Sequence, residues 1–154
     1  MKRVRAIGFA VASLLTGLFP VAAMAAPSGN TSFGVEVQAI DLTGIRPWDG
    51  GTAVVDVKAV VEGEDASFLA GEGRVFGAGG AHGYWQATGS LVGNLLTLSG
   101  VLTESNIGLA GTPVELQANI STGAMTVTIG PWTALFPGQT VVVEGSGRVK
   151  IKTR

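Results

Sequence analysis

From Phe33 to Lys152 apolar residues recur at every second position in run after run, and no stretch sustains the 3.6-residue period of an amphipathic helix. Successive side chains of an extended strand point to opposite faces, so such alternation describes strands with one dry face and one wet one. The clearest run is 140–152. There Val141, Val143, Gly145, Gly147, Val149 and Ile151 share a face, and Val142, Glu144, Ser146, Arg148, Lys150 and Lys152 share the other. Runs at 33–39, 51–62, 67–76, 84–92, 95–103, 113–120 and 124–129 repeat the pattern, giving about eight strands.

What separates the runs sets how they connect. Gly63-Glu64-Asp65, Gly93-Asn94 and Ser121-Thr122-Gly123 are hairpin-length turn signals, and Gly93-Asn94 is of the kind that needs positive φ. Two connections are longer: 41–50, with Arg46-Pro47-Trp48-Asp49, and 130–138, with Pro131-Trp132 and Phe136-Pro137. Short turns between neighbours predict an antiparallel meander. Long strands in a small domain coil strongly, and closing the sheet hides both of its edges. Glycines inside the runs suit the bends that closure needs. The expected fold class is therefore all-β, a small antiparallel barrel of about eight strands, with a two-sheet sandwich as the alternative. Gly71-Glu72-Gly73-Arg74-Val75 echoes Gly145-Ser146-Gly147-Arg148-Val149, which reads as two bent strands with one steric need rather than as a duplication.

The chain opens differently. Lys2, Arg3 and Arg5 precede an apolar stretch from Ala6 to Phe19, followed by the small-residue site Ala23-Met24-Ala25. This is the pattern of a secretory signal peptide, residues 1–25, cleaved after Ala25 to leave a single domain at 26–154. The apolar stretch is short beside the roughly 20 residues that span a bilayer. Export implies a periplasmic or extracellular location. With no cysteine in the chain, neither a disulfide nor a lipidated cysteine can form.

From Ala26 onward seven Lys and Arg face eleven Asp and Glu, a net charge of −4. Four of the seven cations lie in the final seven residues, so the body before Arg148 carries three positive and eleven negative charges. A body of that sign repels phosphate backbones, and nucleic acid is not an expected partner.

Motifs for catalysis are not indicated. No serine sits in a Gly-x-Ser-x-Gly elbow, and His82 is the only histidine. Zinc sites need cysteines or several histidines. Glu62, Glu64 and Asp65 lack the spacing of a calcium loop and read as a solvated turn. No cofactor and no metal are expected.

The candidate ligand-binding residues are His82, Tyr84 and Trp85 in a glycine-rich segment, with Trp48 and Trp132 from the two long connections. Aromatic rings at a barrel mouth suit an apolar ligand or a sugar ring. The expected function is a non-enzymatic exported binding module for a small apolar or saccharide ligand, or for a protein partner. Two alternatives stand beside it. A small outer-membrane barrel would fit eight strands of this length, although the aromatic girdles of such barrels are missing. A structural subunit of a surface layer or matrix would use long strands for edge-to-edge assembly.

Overall fold

Alternation becomes geometry in eight strands, seen in a computed structural model that describes residues 32–154. They are β1 (Phe33–Ile45), β2 (Thr52–Asp65), β3 (Phe68–Gly77), β4 (His82–Val92), β5 (Leu95–Ser105), β6 (Pro113–Asn119), β7 (Ala124–Ile129) and β8 (Val141–Thr153). Each strand pairs antiparallel with the next, and β8 returns to pair with β1, so the sheet is a closed barrel. The expected leader, residues 1–25, lies outside the described residues.

The register fixes the shape of the barrel. Following paired residues from Val35 through Val61, Gly71, Ala87, Gly100, Val114 and Ile129 leads to Val141 on β8. Val35 itself, however, pairs with Ile151. One circuit therefore climbs ten residues along β8, from 141 to 151. With eight strands, a shear of this size tilts the strands by roughly 40° and leaves an interior just wide enough for side chains to fill.

They do fill it. Val37, Val57, Val61, Leu69, Leu96, Leu98, Leu116 and Val127 are essentially without solvent contact, and Trp85 lies among them. Glycines make room for the bulky residues. A Cβ on Gly73 would collide with the indole of Trp85, its paired neighbour on β4. The echoed segments share this need, since a Cβ on Gly71 or Gly147 would strike the carbonyl oxygen of Val60 or Gln38 on the adjacent strand. The outward positions carry Glu36, Lys58, Glu72, Arg74, Glu115, Glu144 and Arg148, all at the surface. Between them stand exposed apolar residues, among them Val54, Val60, Val101 and Val142, so the outer wall is mixed where the interior is uniformly apolar.

Three expectations from the sequence are corrected. Gly63, Glu64 and Asp65, expected as the turn, belong to β2, and the turn falls at Ala66-Ser67, where Asp65 Oδ1 caps the Ser67 N–H. Residues 41–45 continue β1 instead of opening a connection, because a bulge lets the strand resume. Pairing to β2 shifts between Ala39 and Leu42, Asp41 takes φ of 58°, and its N–H donates to Asp56 Oδ1 at 2.8 Å. Ile151 falls on the inward face yet remains 40% exposed. The short β7 covers only Val141 to Ser146 of β8, and Ile151 lies beyond it.

The connections alternate between the two ends of the barrel. Turns at 66–67, 93–94 and 120–123 close one end, where β1 also begins and β8 finishes. The connections 46–51, 78–81, 106–112 and 130–140, none shorter than four residues, gather at the other. In the turn after β2, Asp65 Oδ1 accepts from the backbone N–H of Ser67 at 2.7 Å and from its hydroxyl. The hydroxyl bond, then the amide bond, holds the Asp65 carboxyl below the usual aspartate range. A depressed native pKa contributes stability above the unfolded-state value and loses it as pH falls through the native one. Asp65→Ala is therefore expected to melt below the wild type at neutral pH. The gap should close as pH drops below about 4, and a gap that is the same at acid and neutral pH would contradict this role.

Candidate functional site

The loop end is where the packed interior gives way. Below it, Trp85, Leu98 and Leu116 leave no space. Above it, the walls of β2, β3, β5, β7 and β8 part around a cavity of about 220 Å³. Its floor and sides are Ala53, Val55, Val75, Leu102, Ile129 and Val141. Arg46, His82 and Ser105 supply polar groups at its rim, and Trp48 and Trp132 form part of its wall.

The aromatic wall is built by two loops that meet because β1 and β8 are neighbours. Trp48 stacks on Phe136 with centroids 4.3 Å apart and planes 5° from parallel. It also lies 4.6 Å from Trp132 at a tilt of 54°. Trp132 is anchored from below, its Nε1–H donating to the Ile129 carbonyl at 3.1 Å. On the other side of the cluster, the Arg46 and Gly51 backbones close the 46–51 loop, with Arg46 N–H donating to Gly51 O at 2.7 Å. The Arg46 side chain pairs with Asp49 at 3.0 Å. That ion pair is exposed and contributes little to stability, about 0–1 kcal/mol. It does neutralise the only two charges in the loop.

The remaining loops are tied across the end by polar side chains. Asn106 Oδ1 accepts the His82 N–H at 2.7 Å, and Asn106 Nδ2 donates to Gly80 O at 3.0 Å. His82 Nδ1 lies 3.2 Å from the same carbonyl, an arrangement in which Nδ1–H donates and Nε2 is left for another partner. Thr112, fully buried, shares a hydroxyl contact of 3.2 Å with Thr133, whose hydroxyl also reaches Ala110 O at 3.2 Å. These bonds fix the mouth without placing a nucleophile beside a base.

Of the five residues singled out in the sequence, the fold brings three together. Trp48, Trp132 and His82 all line the cavity. Tyr84 does not, since it lies on the outer wall beneath the Arg74 guanidinium, 4.7 Å from its ring centre. Trp85 does not either. It is 1% exposed in the packed interior, and its Nε1 has no hydrogen-bond partner. Phe136 stacks on the site, while Val75, Leu102, Ile129 and Val141 form it without any signal that separates them from ordinary core residues.

Among the described residues no three His, Asp or Glu side chains converge on a point where a metal ion could sit. Glu62 and Asp65 are at the far end, and Asp65 is occupied by its turn. The arrangement is a half-open apolar recess with an aromatic wall and a few polar groups at the entrance. A scan of protein-family models, a search of curated proteins and a search of solved structures each return no match to this chain.

Proposed function

We propose that this protein is a non-enzymatic exported binding module whose ligand is a small apolar molecule held at the loop end of the barrel. The observation that supports this is the cavity itself. Cores pack to crystal density and tolerate few voids, whereas here about 220 Å³ stands open beneath Trp48 and Trp132. For scale, an apolar cavity of about 150 Å³ takes up benzene. A fused two-ring aromatic or a short branched chain is the matching size. The apolar walls offer too few hydrogen-bonding groups for a saccharide, whose hydroxyls would lose water without replacement.

The two alternatives fit the barrel less well. A membrane barrel needs an apolar outer band and a polar lumen; here Val57 and Leu98 make the interior apolar, and Glu36, Lys58, Glu72 and Arg148 interrupt the exposed Val54, Val60, Val101 and Val142 of the outer wall. Assembly strand to strand needs an unpaired edge, and closure of β8 on β1 leaves one short stretch, Arg148 to Thr153 beyond the end of β7, whose Arg148, Lys150 and Lys152 repel a second copy.

Binding of a naphthylamine dye, whose emission rises in apolar surroundings, tests the reading. Saturable binding at one site is expected, with quenching of the tryptophan emission. Ala53→Phe, which puts a ring into the cavity from β2, should weaken it at least tenfold while the protein still melts cooperatively. Equal binding by wild type and a folded Ala53→Phe variant would contradict the assignment.

A further inference from the structure

The end of the barrel opposite the cavity leaves part of one strand unpaired. β7 pairs with β8 only as far as Ser146, with one further bond from the Gly147 N–H to Gly123 O at 2.8 Å. On its other side β8 pairs with β1 without interruption from Gly147 to Thr153. In an antiparallel ladder the N–H and C=O of one residue point to the same side, and those of its neighbours point to the other. Gly147 donates toward β7, so Val149, Ile151 and Thr153 direct their N–H and C=O to that side too, where no described strand pairs with them. Arg154 shows the same parity, its N–H donating to Ser32 O on the β1 side at 3.0 Å.

Free edges are commonly spoiled by a bulge, a proline or a charge turned inward. None of these occurs from Arg148 to Thr153. The pairing to β1 is regular there, and the side chain turned inward at its centre is Ile151, 40% exposed. Val149 beside it is half-buried against the core. The outward face carries Arg148, Lys150 and Lys152, all exposed. Glu36 lies 3.8 Å from Lys150 and 3.9 Å from Lys152 and offsets one of them. Beyond β1, Lys58 and Glu62 on β2 cancel. The edge therefore keeps a net positive charge, on a chain whose body is acidic. Such cations turn away a second copy of the same edge, and they attract a strand of opposite charge.

We infer that this edge binds an extended acidic segment of a partner protein, added as a strand against β8 beyond the start of β7. The free N–H and C=O groups of Val149, Ile151 and Thr153 select an extended backbone, as in other cases of strand addition. Residues opposite each other in a ladder share a face. Partner residues opposite Arg148, Lys150 and Lys152 are therefore Asp or Glu, and the one opposite Ile151 is apolar and covers it. The recognised pattern is acidic and apolar residues in alternation along 148–152. The edge lies away from the cavity, so strand addition does not depend on a ligand there.

A fluorescein-labelled peptide of alternating glutamate and valine tests this. Its anisotropy should rise saturably on titration with the protein, while the same peptide with lysine for glutamate binds at least tenfold more weakly. Equal binding of the two, or binding of neither, would overturn the proposal. Amide exchange followed by NMR locates the contact. In the free protein the amides of Val149, Ile151 and Thr153 should exchange fast and those of Lys150 and Lys152 slowly, and the acidic peptide should slow Ile151 at least tenfold. Protection of all three in the free protein would mean that a second copy or another part of this chain holds the edge, and the partner strand would be excluded. Ile151→Pro removes the central donor on the free side, where proline costs no ladder bond. The variant should melt cooperatively and bind the acidic peptide at least tenfold more weakly; undiminished binding would contradict the assignment. Arg148→Gln with Lys152→Gln leaves the backbone alone and should weaken that peptide at least tenfold, and unchanged affinity would likewise count against it.

Discussion

A chain ending before β8 is expected to yield no cooperatively melting protein. The strand is the closing element, paired with β7 along Val141 to Ser146 and with β1 from Val143 to Thr153. Its loss removes Val141 and Val143 from the core, where they are 2% and 0% exposed. Two buried valines alone are worth about 3–6 kcal/mol. The gap also opens Val35, Val37, Val127 and Ile129 to water and leaves two unpaired edges, on the long β1 and the short β7. Domains of this size are stable by only about 5–15 kcal/mol, so the remaining seven strands fall below that margin and aggregate through their edges. Recovery of a soluble chain ending at Thr140 with a sharp thermal transition would show that closure is not what holds the fold.

The second large effect concerns Trp85. It is the largest fully buried side chain among the described residues, seated over Gly73 in the packed interior. Trp85→Ala should cost about 4 kcal/mol, the upper range for core truncations, lowering Tm by roughly 15 °C in a domain of this size. Trp85→Phe should cost far less than its lost volume suggests. The indole N–H is buried with no acceptor, a condition that costs about 1–3 kcal/mol, and phenylalanine removes it. A net loss below about 1.5 kcal/mol is expected, read by chemical denaturation. Equal losses for Ala and Phe would mean that the indole nitrogen has a partner in solution.

Much of the barrel was legible in the sequence, because a period of two translates directly into inward and outward faces. The β7 run was read to its ends, and β3, β5, β6 and β8 to within two residues. Two of the failures need a partner far away in the chain, whereas the turn after β2, read at 63–65 and found at 66–67, is a purely local one. Nothing at Asp41 announces that its N–H will find Asp56, fifteen residues on, and so carry β1 through a bulge. The ten-residue climb around the sheet likewise resides in pairings, not in any one strand.

The candidate site shows the same division. Trp48 and Trp132 stood out because aromatics in Pro-containing connections have to sit at an end of the barrel, and they do meet there. Tyr84 and Trp85 could not both face one site, since adjacent strand residues point to opposite sides. Alternation already forbade that pairing. Val75, Leu102 and Ile129 belong to the same periodic pattern as the packed core, and only the divergence of the strands above Trp85 turns them into cavity walls.

Methyl NMR most directly tests the claim that the loop end is a binding cavity and the centre is not. Titration with naphthalene should shift the methyl resonances of Val75, Leu102, Leu109, Ile129 and Val141, saturably and together. Those of Leu96, Leu98, Leu116 and Val127 should stay fixed. No shift at any concentration up to solubility, or shifts spread evenly through both groups, would contradict the account.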